Sequence, residues 1–143
     1  MDGASHVPVL CGDVVQLLAP ALATDGRAGR AGPPVLMDCT VGLGGHAAAL
    51  LEAAGGEVVL IGIDLSEPNL LTTKDRLKRF GDRARLFRAN FADADAVLAE
   101  AGVEAADAVL ADLGVSSAQL DDPATGLSFQ AEDPLDMRLG DEG

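Results

Sequence analysis

The feature that most constrains the fold is a repeated alternation. Four short apolar runs, VLMDC at 35–39, VVLIGID at 58–64, ARLFRANF at 84–91 and DAVLADLG at 107–114, are separated by longer segments of helical texture. Strands alternating with helices build βαβ units and a parallel sheet covered on both faces, and near-continuous apolar runs are what strands buried on both sides require. The intervening segments carry their own punctuation. HAAALLEAA at 46–54 is closed by Gly55-Gly56 as a glycine C-cap, Ser66 and Pro68 open a helix that runs to about Phe80, and Gly81 stops it. ADADAVLAEAG at 92–102 has aspartates near its start, where they suit the helix dipole. An amphipathic helix over about 11–22 comes first, joined to the first strand by the flexible stretch TDGRAGRAGPP. Beyond Asp112 no period is sustained, and the residues to 143 read as loop with short helical turns.

Four strands make half of a doubly wound sheet. A chain of 143 residues with 48% hydrophobic content supports one core without help from a metal or disulfides, so Cys11 and Cys39 read as free thiols. There is no run of about 18 apolar residues, and MDGASHVPVL lacks the basic start and apolar stretch of a secretory signal, so the expected location is the cytoplasm with no membrane partner. Ten Lys and Arg against 23 Asp and Glu give a net charge of −13, which by itself argues against a nucleic-acid partner. Seven of the ten basic residues, however, fall within 74–88. They are read first as a solvated surface, because positions 74, 76, 78 and 79 share no stripe at helical spacing, and second as contacts to RNA phosphates. With 3% aromatic residues and no Trp or Tyr, a base-stacking platform is not supported.

In an open parallel sheet ligands bind beyond the carboxyl ends of the strands. The first predicted strand ends at Asp38 and runs into Gly42-Leu43-Gly44-Gly45-His46-Ala47, a G-x-G-x-x-A turn that opens a helix, and Asp64 ends the second strand 20 positions after Gly44. Glycines let the backbone approach a ligand, and a carboxylate at the end of the neighbouring strand can accept hydrogen bonds from ribose hydroxyls. A dinucleotide would put a pyrophosphate at that helix start, whereas S-adenosylmethionine brings an ammonium and a sulfonium. Asp38 beside the glycines repels the first and favours the second. Asp112, at the end of the fourth predicted strand, adds a third carboxylate to the same rim. The plainer alternative is that these aspartates cap turns. His6 and the cysteines lack metal-ligand spacing, so no metal is expected.

HVPVL at 6–10, DCTVGLGGH at 38–46, GID at 62–64, NF at 90–91, DLGVSSAQLDDP at 112–123, SF at 128–129 and PLDMR at 134–138 together resemble the RsmH (MraW) family, in order and over nearly the whole chain. The resemblance implies a Rossmann-like class I methyltransferase sandwich, here its first four parallel strands, with residues 1–120 as a partial S-adenosylmethionine-binding domain. Residues 121–143 would be the start of an inserted helical domain or a disordered tail. It further implies a cytosine-N4 methyltransferase of small-subunit (16S) ribosomal RNA, with that RNA or the assembled small subunit as partner. Gly44, Gly45 and His46 would contact the methionine end of the cofactor, Asp64 its ribose and Phe91 its adenine, and Asp112 and Gln119 would complete the site. Asp112 and the loop carbonyls after it are the candidates for polarising the target amine. Read without the family, Phe91 is a core aromatic, His46 a polar helix start and Gln119 a loop residue. The chain departs from the family pattern at Ser66, where an acidic residue is usual, at Thr125-Gly126-Leu127 in place of Arg-Gly-Phe, and at Asp133 in place of Gly. Two other functions fit part of the pattern: a truncated remnant that binds the cofactor without catalysis, and an NAD-dependent oxidoreductase resting on the glycine turn and Asp64 alone.

Overall fold

The computed structural model describes residues 8–23 and 31–114. The expected boundary at 120/121 and the motifs beyond 114 lie outside them. Two compact units, Met1–Ala111 and Asp112–Gly143, divide the chain, and the account below concerns the first.

Four parallel strands, β1 (Val35–Asp38), β2 (Val59–Asp64), β3 (Ala84–Arg88) and β4 (Ala108–Leu110), lie in the order β3-β2-β1-β4. This is the α/β parallel sheet that the alternation predicts, with the Rossmann-like arrangement that the resemblance implies. Val35 pairs with Val59 and Asp38 with Gly62, while Leu36 and Asp38 pair with Ala108 and Leu110 across β1's other edge. The chain builds outward from β1 to β2 and β3, then returns to place β4 on the opposite side. The connection order therefore reverses between β1 and β4, and the crevice at such a reversal is where open α/β sheets take ligands.

Helices α1 (Cys11–Leu18), α2 (Gly45–Ala54), α3 (Glu67–Leu77) and α4 (Ala94–Glu100) cover the sheet. Because strand side chains alternate, β1 and β2 feed two cores. Leu36 and Leu60 join Leu50 and Leu51 of α2 and Leu77 of α3, with Val14, Val15 and Leu18 of α1 packed against them. Val35, Met37, Val59, Ile61 and Ile63 point the other way and meet Val97 of α4.

The differences from the sequence reading are local and have physical causes. The opening helix tightens into a 3₁₀ turn at Ala19–Leu22, where Pro20 supplies no amide donor. α3 stops at Leu77 and continues as a 3₁₀ segment, Lys78–Arg83, that bends at Gly81 with φ +58°. β3 ends at Arg88 instead of Phe91, because the Asn90 side chain accepts from the Ala92 amide at 2.9 Å and starts a 3₁₀ turn, Phe91–Asp93. β4 is three residues long rather than the predicted eight. Cys11 and Cys39 are free thiols, as expected. Among the described residues no helix is long and apolar enough to cross a membrane.

Candidate functional site

The carboxyl ends of β1 and β2 bring Asp38 and Asp64 to one rim. Asp38 stands opposite Gly62 in the ladder, so Asp64 lies one strand over and two residues further along, about 8 Å away by strand geometry. The two carboxylates do different work. Asp38 is 1% exposed, and its Oδ1 accepts the Thr40 amide at 3.1 Å. That contact is a turn-capping one. The Asp38 charge, after burial itself, holds the neighbouring Cys39 thiol above its ordinary value.

Asp64 joins three elements. Its Oδ2 accepts the Gly42 amide at 2.9 Å, and its Oδ1 accepts the Ser66 amide at 2.7 Å and the Asn69 side-chain amide at 3.4 Å. One carboxylate thus ties the glycine turn to the start of α3. Ser66 caps α3 by accepting the Asn69 amide at 3.3 Å, a role that Ser and Asp perform almost equally well.

The turn itself is pinned from the β2 and α3 side. The Val41 amide donates to the Ile63 carbonyl at 2.9 Å, and the Thr73 hydroxyl of α3 donates to the Gly42 carbonyl at 2.6 Å. Gly44 has φ +75°, and a Cβ there would stand 2.8 Å from Thr73 Cγ2; a Cβ on Gly45 would collide with the Pro8 ring. What crowds these two glycines is protein: α3 on one side and the N-terminal segment on the other. The sequence reading assigned that closeness to a ligand alone. Gly42, with φ +51°, has among the described residues only the Thr40 carbonyl near its missing side chain.

His46 occupies the first turn of α2, and its Nε2 lies 2.8 Å from the Val9 carbonyl. A carbonyl only accepts, so the ring carries a proton at that nitrogen. His46 therefore fastens the Pro8–Val9 segment over the start of α2, a contact that the HVPVL and GGH motifs did not by themselves disclose. Phe91 is 50% exposed just past the end of β3, so the core-aromatic alternative is overturned: the Asn90 cap turns this residue out of the strand. Asp112 follows β4 by two residues in the chain and belongs to the second unit, and Gln119 lies outside the described residues.

Sequence reasoning missed Thr73, Asn69 and Pro8. The signal for Thr73 was present: it shares the inward stripe of α3 with Leu70 and Leu77, and a hydroxyl on an apolar stripe needs a buried acceptor. The basic residues of 74–88 are largely engaged on the surface. Lys78 pairs with Asp75, Arg79 with Glu52 and Arg88 with Glu67, while Arg83 and Arg85 donate to the carbonyls of Gly56 and Ala101. These are exposed pairs of the kind worth about 0–1 kcal/mol, as the solvated-surface reading expects.

Against known proteins, residues 3–143 match the MraW methylase family. The chain belongs to that family. This MraW-family chain is 47% identical over 137 residues to the ribosomal RNA small subunit methyltransferase H of Solidesulfovibrio magneticus, covering 96% of this chain and 39% of that protein. It is 42% identical to the protein of the same name from Geotalea uraniireducens, over 97% of this chain and 41% of that one. The chain therefore spans about two fifths of the length of these curated relatives. Among solved structures, a chain from Clostridium thermocellum superposes with a TM-score of 0.49 at 18% identity, over 59% of this chain and 42% of that chain.

Proposed function

We propose that this MraW-family chain carries the cofactor-binding half of an S-adenosylmethionine-dependent methyltransferase acting on the N4 amine of a cytosine in small-subunit ribosomal RNA. The observation that carries the reading is the junction of Asp64 with the glycine turn at 2.9 Å, on the rim where the strand order reverses.

The residues present fit that cofactor. Asp64 Oδ2 accepts one protein hydrogen bond, and a carboxylate oxygen can accept about two, which leaves a place for a ribose hydroxyl. The carboxylate of Asp38, at the end of the strand that leads into the glycine turn, suits an ammonium and a sulfonium. A pyrophosphate, negative like Asp38, would be repelled there, which disfavours a dinucleotide. When bound, S-adenosylmethionine supplies a methyl group made electrophilic by its sulfonium.

In this reading Asp64 holds the ribose, Gly42, Gly44, Gly45 and His46 shape the methionine end, and the half-exposed Phe91 lies against the adenine. The family resemblance gives further cofactor roles to Asp112 and Gln119, and to Asp112 that of polarising the target amine. The protein's contribution to rate is then mainly positioning of the amine in line with the methyl group.

The test pairs calorimetric titration of the 143-residue chain with S-adenosylmethionine and transfer of labelled methyl to small-subunit ribosomal RNA. Binding is expected, and absence of binding overturns the reading. Where transfer is seen, Asp112→Asn should lower it on the order of 100-fold at saturating cofactor; an unchanged rate removes that carboxylate from the chemistry. Binding without transfer would identify this chain as a cofactor-binding remnant.

A further inference from the structure

We infer that Thr73 is a positioning residue for the glycine turn, setting how tightly that turn holds the methionine end of the cofactor. The inference rests on the cofactor assignment proposed above and adds a residue that the family motifs quoted from the sequence do not include.

Three observations converge on it. Thr73 is completely buried, yet its hydroxyl has a definite partner in the Gly42 carbonyl at 2.6 Å. The amide of the same residue, Gly42, donates to Asp64 at 2.9 Å. Gly42 is thus held at both of its backbone groups, by the end of β2 on one and by the middle of α3 on the other. Finally, the Thr73 methyl stands where a side chain on Gly44 would have to go, 2.8 Å from an ideal Cβ. Thr73 therefore fixes the turn twice, through a hydrogen bond at Gly42 and through contact at Gly44.

The consequence follows from how Asp64 is shared. One of its oxygens serves the turn and the other the start of α3, so a shift of the turn relative to α3 must also disturb the carboxylate assigned to the ribose. Thr73 opposes that shift. Without its hydroxyl the Gly42 carbonyl loses its partner, and the turn gains alternative positions that a ligand must then select against.

The experiment measures binding of S-adenosylmethionine and of adenosine to the 143-residue chain by calorimetry. Thr73→Ala removes the hydroxyl, and Thr73→Ser keeps it in a side chain of nearly the same size. The Ala variant should bind S-adenosylmethionine about tenfold more weakly than the Ser variant, the shift expected for one lost hydrogen bond. Adenosine, which lacks the methionine end, should lose much less, so the ratio of the two affinities falls. A role confined to stability would lower the melting temperature without changing that ratio. Thr72→Val is the internal control: the Thr72 hydroxyl donates to the Pro68 carbonyl on the exposed side of α3, and its loss should leave both affinities unchanged. Equal affinities in the Ala and Ser variants overturn the inference while leaving the cofactor assignment standing. Failure of the unsubstituted chain to bind S-adenosylmethionine overturns both.

Discussion

The two faces of the sheet are covered unequally. On one, α1, α2 and α3 close over Leu36, Leu60 and Ala108, and Val41 of the glycine turn is part of the same core. On the other, α4, only seven residues long, covers Val35, Met37, Val59, Ile61 and Ile63, and Val109 on β4 is left 57% exposed. The strands are the same, and only the parity of the residue decides which environment it meets. What the difference teaches concerns the site. The turn, the Asp64 junction and Thr73 are all tied to the thickly covered face, where packing restricts movement, so the groups that must be held accurately sit on the less yielding side.

The sharpest way to break this comparison uses neighbours in β2. Leu60 and Ile61 are both fully buried and face opposite cores. Each truncation to Ala should cost about 2–5 kcal/mol, with Leu60→Ala the larger, because a face closed by three helices relaxes less into the space left behind. Urea unfolding of the two variants provides the measurement. If Ile61→Ala costs as much or more, the two faces do not differ in rigidity.

A smaller effect tests the join between the turn and α3. Gly44→Ala places a side chain at φ +75° and against Thr73. The backbone contribution is roughly 1–2 kcal/mol and the overpacking contribution roughly 1–3 kcal/mol. Removing the Thr73 methyl in a Thr73→Ser background should recover the second part only, giving a coupling of about 1 kcal/mol in a double-mutant cycle. Strict additivity would mean that the turn and α3 give way independently.

The fold was legible because its causes are local and periodic. VLMD and VLIGID are apolar at both parities, which only a strand covered on two faces requires, and Ser66, Gly55 and Gly81 mark real ends or bends of helices. The site was legible only in part. Asp64 and the glycines stood out because their spacing obeys a chain-local rule. Thr73 and Pro8 meet those glycines from 29 and 37 positions away, in contacts no local pattern encodes. Asp38 shows the limit from the other direction: its position at the end of β1 follows from the pattern, but its burial and its bond to the Thr40 amide depend on packing that no local pattern encodes. The ends of β3 and β4 were overrun because an apolar run continues past the last ladder pair. At β3 it was the Asn90 side chain, competing for the Ala92 amide, that stopped the strand.

The smallest effect tests the thin face where it is most open. Val109 pairs with Met37 on β1 and points to the α4 side, yet more than half of it reaches solvent. Thr has nearly the same shape and the same preference for strands, and a hydroxyl introduced at an exposed position keeps access to water. Val109→Thr should therefore change stability by no more than about 0.5 kcal/mol, read as an unchanged urea midpoint. The same substitution within either core would bury a hydroxyl and cost about 1–3 kcal/mol. A cost of that size at Val109 would mean that the face is covered in solution, and that the imbalance between the two sides of the sheet is smaller than its buried residues indicate.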